Sequence, residues 1–327
     1  MSYIFESIEK TRNIRPSSLN TYISALRQVH KDVVGDKDIK NLKFLTDFDK
    51  VMGTINKLDK ITSKKNRLTS IIVALTTDKE KYEKLIEKYI HELNSLSDSY
   101  QKFLEKQEKT ESQKENWLDY DGLIKIQQKI KRDIKERNLL KKNPKDLTNK
   151  EYSKIQSYVL YSVYLKHPMR NDFANMRVIT EKDYKKLDKQ DLDSENFLVL
   201  KPDNKKEFQI SNYKTSDKYG KLTLDIDEQL NKILNVWLKI NKSGFLFTQI
   251  RGNRTEPMSS NGVTKALQSI SKKYSGKSIG SSLIRHIVIS HMLKDKPTIA
   301  EKKAEEKEIQ QKFAHSKATN EMYRKID

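Results

Sequence analysis

The chain contains no cysteine. Disulfides, thiol nucleophiles and thiolate metal sites are therefore excluded, and the composition fits a reducing compartment. No run of about 18 apolar residues occurs, so no membrane-spanning helix and no membrane partner is expected. The opening residues, MSYIFESIEK, lack the apolar core of a secretory signal, and an intracellular location is expected. The six histidines are dispersed, without a metal-ligand spacing such as HExxH, so no metal and no other cofactor is expected. Acidic residues are also in deficit, 45 against 65 lysines and arginines.

That deficit leaves a formal net charge of +20. A field of that size favours a polyanion, most simply nucleic acid. Only 12 of the 65 basic residues are arginine, as AT-rich coding would produce. Coding bias accounts for many lysines but not for their excess over the acids. At 327 residues there is enough chain for two domains, each with its own core.

The first third reads as helical. Ser18 is placed to cap a helix on which Leu19, Tyr22, Ile23, Leu26 and Val33 share a face. A second amphipathic run holds Leu68, Ile71, Ile72 and Leu75, and a third holds Leu85, Tyr89, Leu93 and Leu96. Residues 1–108 are expected to form a small helical bundle. The polar stretch 109–116 is the expected linker, and 117–327 the second domain. That domain opens with helices at Tyr120–Lys135 and Lys150–Leu165. FLVL, EFQISNYK and KLTLDI then predict a small antiparallel sheet, with Ser216, Asp217 and Gly220 as turn residues. Helices are expected again at Asp227–Ile240, Ser260–Lys273, Ile279–Leu293 and Ile299–Phe313. The fold class is thus mainly α with a small sheet.

Five residues in this second part carry chemistry together. Arg170 stands at a junction between apolar helices, where its planar fork suits two phosphate oxygens, although an isolated arginine is ordinarily a surface charge. Lys214 ends a predicted strand, where it is either a solvated turn lysine or a general acid for a leaving oxygen. Arg285 lies in the apolar helix SSLIRHIVISHML, and a charge there is costly to bury without an anion. His286 follows it, but adjacent helical side chains diverge by about 100°, so His286 reads as a packing or supporting residue. His315 and Tyr323 close the set in HSKATNEMY. Cations can hold a phosphodiester and a tyrosine can attack it.

In this order the motifs resemble the tyrosine recombinase (integrase) family. The strand-turn-strand around YKT and YG, then LRHIVIS, then HSKAT and Tyr323 carry the specific part of the resemblance. RPSSLNTYISALRQV is similar to that family's first DNA-binding helix, and RNDF and YKT are similar to versions carried by large DNA viruses and their mobile elements. The resemblance implies a helical, SAM-like core-binding domain and a mixed α+β catalytic domain closed as a clamp on double-stranded DNA. It implies a monomer that forms a homo-tetramer on DNA, acting in cytoplasm, nucleus or viral factory. It implies that Arg170 and Arg285 bind the scissile phosphate and that Lys214 protonates the leaving 5′ oxygen. His315 would donate to the phosphate, and Tyr323 would form a 3′-phosphotyrosyl bond.

The chain departs from the family pattern in places. Ser282 stands three residues before Arg285, where the family usually has a histidine, and serine is a poor base. Phe173 stands where the family often has glutamate, with Asp172 beside it. The interval from His315 to Tyr323 is one residue shorter than the commonest pattern, and only Arg324–Asp327 follow. Site-specific recombination is the leading expectation. The alternatives are a type IB topoisomerase-like DNA-relaxing enzyme and a DNA-binding relative without catalysis. Lys64, Lys65 and Arg67, at a helix entrance, are candidate phosphate contacts that position DNA without reading its sequence.

Overall fold

The computed structural model describes residues 2–11, 14, 16–249 and 254–304. The chain is mainly helical with one small four-stranded sheet. It divides into two compact units, residues 1–108 with the described residues from Pro297 onward, and Lys109–Lys296. Among the described residues no helix is long and apolar enough to cross a membrane.

The first unit holds helices α1 (Ser2–Thr11), α2 (Pro16–Val34), α3 (Phe48–Asn56), α4 (Ile61–Leu75) and α5 (Lys79–Glu105). Its core is built from apolar side chains recurring at helical spacing: Leu26 and Val29 on α2, Leu68 and Ile71 on α4, and Tyr89 on α5. The Tyr89 hydroxyl reaches the Leu45 carbonyl at 2.9 Å, so its polar end is satisfied inside the core. Ser18 does not cap α2. The helix already begins at Pro16, whose fixed φ suits a first helical position. Residues 299–304 are helical and group with this unit. The Ile299 amide donates to Gln107 at 2.8 Å, and Lys303 pairs with Glu105 at 2.7 Å.

The expected linker 109–116 is largely helical. It contains α6 (Glu111–Asn116), started by a reciprocal capping box in which the Thr110 hydroxyl accepts from the Gln113 amide and Gln113 accepts from the Thr110 amide. Asn116 then accepts from the Ser278 amide at 2.8 Å, and Lys277 donates to the Glu115 and Trp117 carbonyls. A polar segment without an apolar period thus folds through its caps and tethers.

In the second unit α7 (Tyr120–Glu136) presents Leu123, Ile126, Ile130 and Ile134 to the core. Beside it α8 (Asn149–Lys166) is buried almost all round, from Tyr152 to Leu165, as a central helix must be. The sheet order is β1 (Arg177–Thr180), β2 (Asn196–Leu200), β3 (Lys206–Ile210), β4 (Leu222–Asp225). It is mixed, not antiparallel as expected: β1 runs parallel to β2, with Val178 opposite Leu198. The two short helices α9 (Glu181–Tyr184) and α10 (Lys189–Ser194) carry the chain back, which a parallel pair requires. The β2–β3 and β3–β4 pairs are antiparallel, with Phe208 facing Leu198 and Leu224. Between β3 and β4 lies a single turn of helix, α11 (Ser216–Tyr219), ended by Gly220 at φ +67°, a conformation that suits glycine. Helices α12 (Glu228–Ile240), α13 (Ser260–Ser275) and α14 (Ser281–Met292) complete the unit around fully buried Trp237, Tyr161, Tyr164 and Phe173.

Candidate active site

Arg170 is fixed through its backbone. After α8 ends, Phe173 is buried against the rings of Tyr164 and Phe208, which anchors the junction to the core. The Tyr164 hydroxyl donates to the Arg170 carbonyl at 2.9 Å. The Asn171 amide donates to the Ser260 carbonyl and the Thr264 hydroxyl, both at 2.9 Å, tying the same turn to α13. With its backbone held on both sides, the exposed Arg170 side chain has a defined origin.

Arg285 arrives from α14. Ile284, Ile287 and Val288 bury the inner face of that helix, and Arg285 stands at its half-buried border. The helix begins after Gly280, where no side chain caps it. A Cβ at Gly280 would come within 3.3 Å of Thr264, so glycine permits the close approach of α14 to α13.

Arg170, Asn171, Thr264, Gln268, Ser282, Arg285 and His286 line one cavity of about 500 Å³, closed on another side by Ser112, Gln113 and Asn116 of α6. Neither arginine makes an ion pair among the described residues. Burial and the neighbouring Arg170 push the Arg285 guanidinium below its ordinary value, only partly offset by Asp172 and Tyr164. Burial raises the Asp172 carboxyl against the pull of Arg170 and Arg285. Two guanidiniums and one half-buried carboxyl therefore share a site with excess positive charge and an uncapped helix start. Such a site favours an anion with several oxygens. Partial burial and Arg285 hold the His286 imidazole below its ordinary value, so it is neutral at neutral pH.

The cavity brings together three of the expected residues: Arg170, Ser282 and Arg285. Lys214 is exposed, follows β3, and does not line the cavity. Asn196 nevertheless links its loop to the Arg170 turn: its side chain donates to the Asp172 and Asn212 carbonyls and accepts from the Ser211 and Asn212 amides. His315 and Tyr323 lie outside the described residues. Among the described residues no group of three or more His, Cys, Asp or Glu is placed to hold a metal ion.

In the first unit the three proposed phosphate contacts all have partners. Arg67 pairs with Asp32 at 2.6 Å, Lys64 donates to the Asn56 carbonyl at 3.0 Å, and Lys65 lies 5.2 Å from the centre of the Tyr100 ring. Arg67 is the most committed, because Asp32 also accepts from Gln28 at 2.8 Å.

Sequence reasoning missed the cavity role of His286. Ser282 and His286 are one helical turn apart, so both can face the same space, a signal the comparison with neighbouring Arg285 obscured. It also missed α6 as a wall, which only long-range tethers to 277–278 reveal. No protein-family model matches the chain, and no curated protein matches its sequence.

Proposed function

We propose that this chain breaks and rejoins DNA strands through a 3′-phosphotyrosyl intermediate, as a site-specific recombinase of the tyrosine recombinase type. The observation that supports this most is the convergence of Arg170 and Arg285, far apart in sequence, on one cavity with no anionic partner in ion-pair contact among the described residues. Negative charge grows on the phosphoryl oxygens in the transition state, and preorganised cations are worth most there. In this mechanism the arginines hold the non-bridging oxygens, Lys214 protonates the leaving 5′ oxygen, His315 donates to the phosphate, and Tyr323 attacks. Residues 1–108 serve as the core-binding domain and 117–327 as the catalytic domain, with a homo-tetramer formed on double-stranded DNA.

The test is adduct formation on nicked suicide duplexes drawn from the ends of the source element. Wild type gives an SDS-resistant protein–DNA band, and Arg170→Ala and Arg285→Ala lose it. A band unaffected by both substitutions refutes the assignment of the cavity. Relaxation of supercoiled DNA by a monomer without a specific site would favour the type IB topoisomerase-like alternative. Tight, salt-steep binding with no band on any duplex would favour a DNA-binding relative without catalysis.

A further inference from the structure

Attack of a hydroxyl on phosphorus needs somewhere for its proton to go, and the cavity offers few acceptors. Its lining holds three ionisable side chains, Arg170, Arg285 and His286. The facing residues of α6 (Ser112, Gln113, Asn116) and of α13 (Thr264, Gln268) are neutral. Arginine does not give up its proton in this pH range and cannot accept another. Asp172, whose carboxyl is raised by burial against the pull of both guanidiniums, does not line the cavity.

The geometry of α14 then singles out one group. Long helical side chains lean toward the N-terminus, over the residue four positions earlier. His286 and Ser282, one helical turn apart on α14, line the same cavity. Unlike Ile284, Ile287 and Val288, His286 is exposed and does not serve the core. The other described histidines have partners: His30 contacts the Asp36 carbonyl, His91 lies near Glu92, His167 packs on Phe208, and His291 stacks on Tyr120. Among the described residues His286 makes no hydrogen bond, ion pair or ring contact.

We propose that His286 is the general base of this site, accepting the proton of the hydroxyl that attacks the phosphate held by Arg170 and Arg285. The inference rests on the phosphoryl-transfer function proposed above. In cleavage the bond from the tyrosine oxygen to phosphorus forms, the bond from phosphorus to the 5′ oxygen breaks, and the phenolic proton passes to the imidazole. The leaving oxygen takes its proton from a separate acid. In rejoining, the 5′ hydroxyl attacks and the imidazolium returns its proton to the departing phenolate. Partial burial and the neighbouring Arg285 both lower the imidazole, which favours its neutral, proton-accepting form before reaction.

The experiment measures adduct formation against pH for wild type and His286→Gln, on ordinary suicide duplexes and on duplexes with a 5′-bridging sulfur, whose leaving group needs no proton. The expected result is a loss of about 10²- to 10⁴-fold near pH 7, unrelieved by the sulfur substrate. The slope of the wild-type profile below about pH 6.5 should vanish with it. A normal rate overturns the proposal. So does rescue by sulfur, which would make His286 the acid, or a slow variant that keeps the wild-type profile, which would make it structural. A wild-type protein that forms no adduct on any duplex overturns the underlying function instead.

Discussion

Replacing Arg285 by methionine separates what the cavity does from what the fold needs. The guanidinium is half-buried, and burial and Arg170 both act against its charge, outweighing Asp172 and Tyr164. Like charges in a half-buried site repel by a few kcal/mol at most at an effective dielectric of about 20. Solvent screening and the lost attraction to Asp172 reduce that to on the order of 1 kcal/mol. Arg285→Met, which keeps the unbranched stem, is therefore expected to raise Tm in dilute buffer by roughly 2–4 °C. The order reverses with an anion. Inorganic phosphate at ten times its Kd stabilises the native state by about 1.4 kcal/mol, or roughly 3–6 °C. The assay is thermal unfolding with phosphate against chloride at matched ionic strength. Wild type should gain this shift and Arg285→Met should lose most of it. A net charge of +20 guarantees some general response to salt, but that response is common to both proteins. Equal phosphate shifts would refute the claim that Arg285 helps form an anion site.

Asp172→Asn should show the opposite pH signature to an ordinary paired carboxylate. Burial raises the folded value above the ordinary 3.8, so the native state holds the proton more tightly than the unfolded chain. The contribution of Asp172 to stability therefore falls as pH rises from about 3.8 through that raised value. The wild-type minus variant difference in urea unfolding should track this fall, and a rising difference would contradict it. Lys206 is buried on β3 and donates to the Asn204 carbonyl and to the Asn231 and Asn235 side chains, with no carboxylate among these partners. Burial lowers its folded value, so its contribution should grow as pH rises from that value toward about 10.5, read as wild type minus Lys206→Met. Neutralising Lys64 and Lys65 should lower the slope of log binding constant against log salt by about 2, with site preference kept. Arg67→Gln should act chiefly on stability, because Asp32 already holds the guanidinium. A sharp loss of discrimination with an unchanged slope would place these lysines at the bases instead.

Elements with a strong apolar period were legible. The helices expected at Asp227–Ile240 and Ser260–Lys273 form as Glu228–Ile240 and Ser260–Ser275, because caps at Asp227 and Ser259 mark their starts. Strand β1 was not legible: four residues, RVIT, lead directly into the charged EKDY and have no alternation to read. Its parallel pairing with β2 depends on a return path, which local sequence does not encode. The helical character of 111–116 lay in a capping box, TESQ, rather than in hydrophobic period. At the candidate site Arg170 and Arg285 stood out because a charge beside apolar helix faces implies a partner. The supports around them were invisible for the same reason that β1 was. Asn171 reaches Ser260 and Thr264, and Asn196 joins the Asp172 and Asn212 carbonyls, through contacts distant in sequence.

The proposed chemistry leaves a covalent bond between DNA and Tyr323. Trapped complexes would be digested with nuclease and trypsin, and the peptide Ala318–Arg324 (ATNEMYR) examined by mass spectrometry. The expected result is that this peptide carries a phosphotyrosyl-linked nucleotide remnant, and that Tyr323→Phe yields neither the remnant nor the SDS-resistant band. A remnant on another residue, or an undiminished band from Tyr323→Phe, would contradict it.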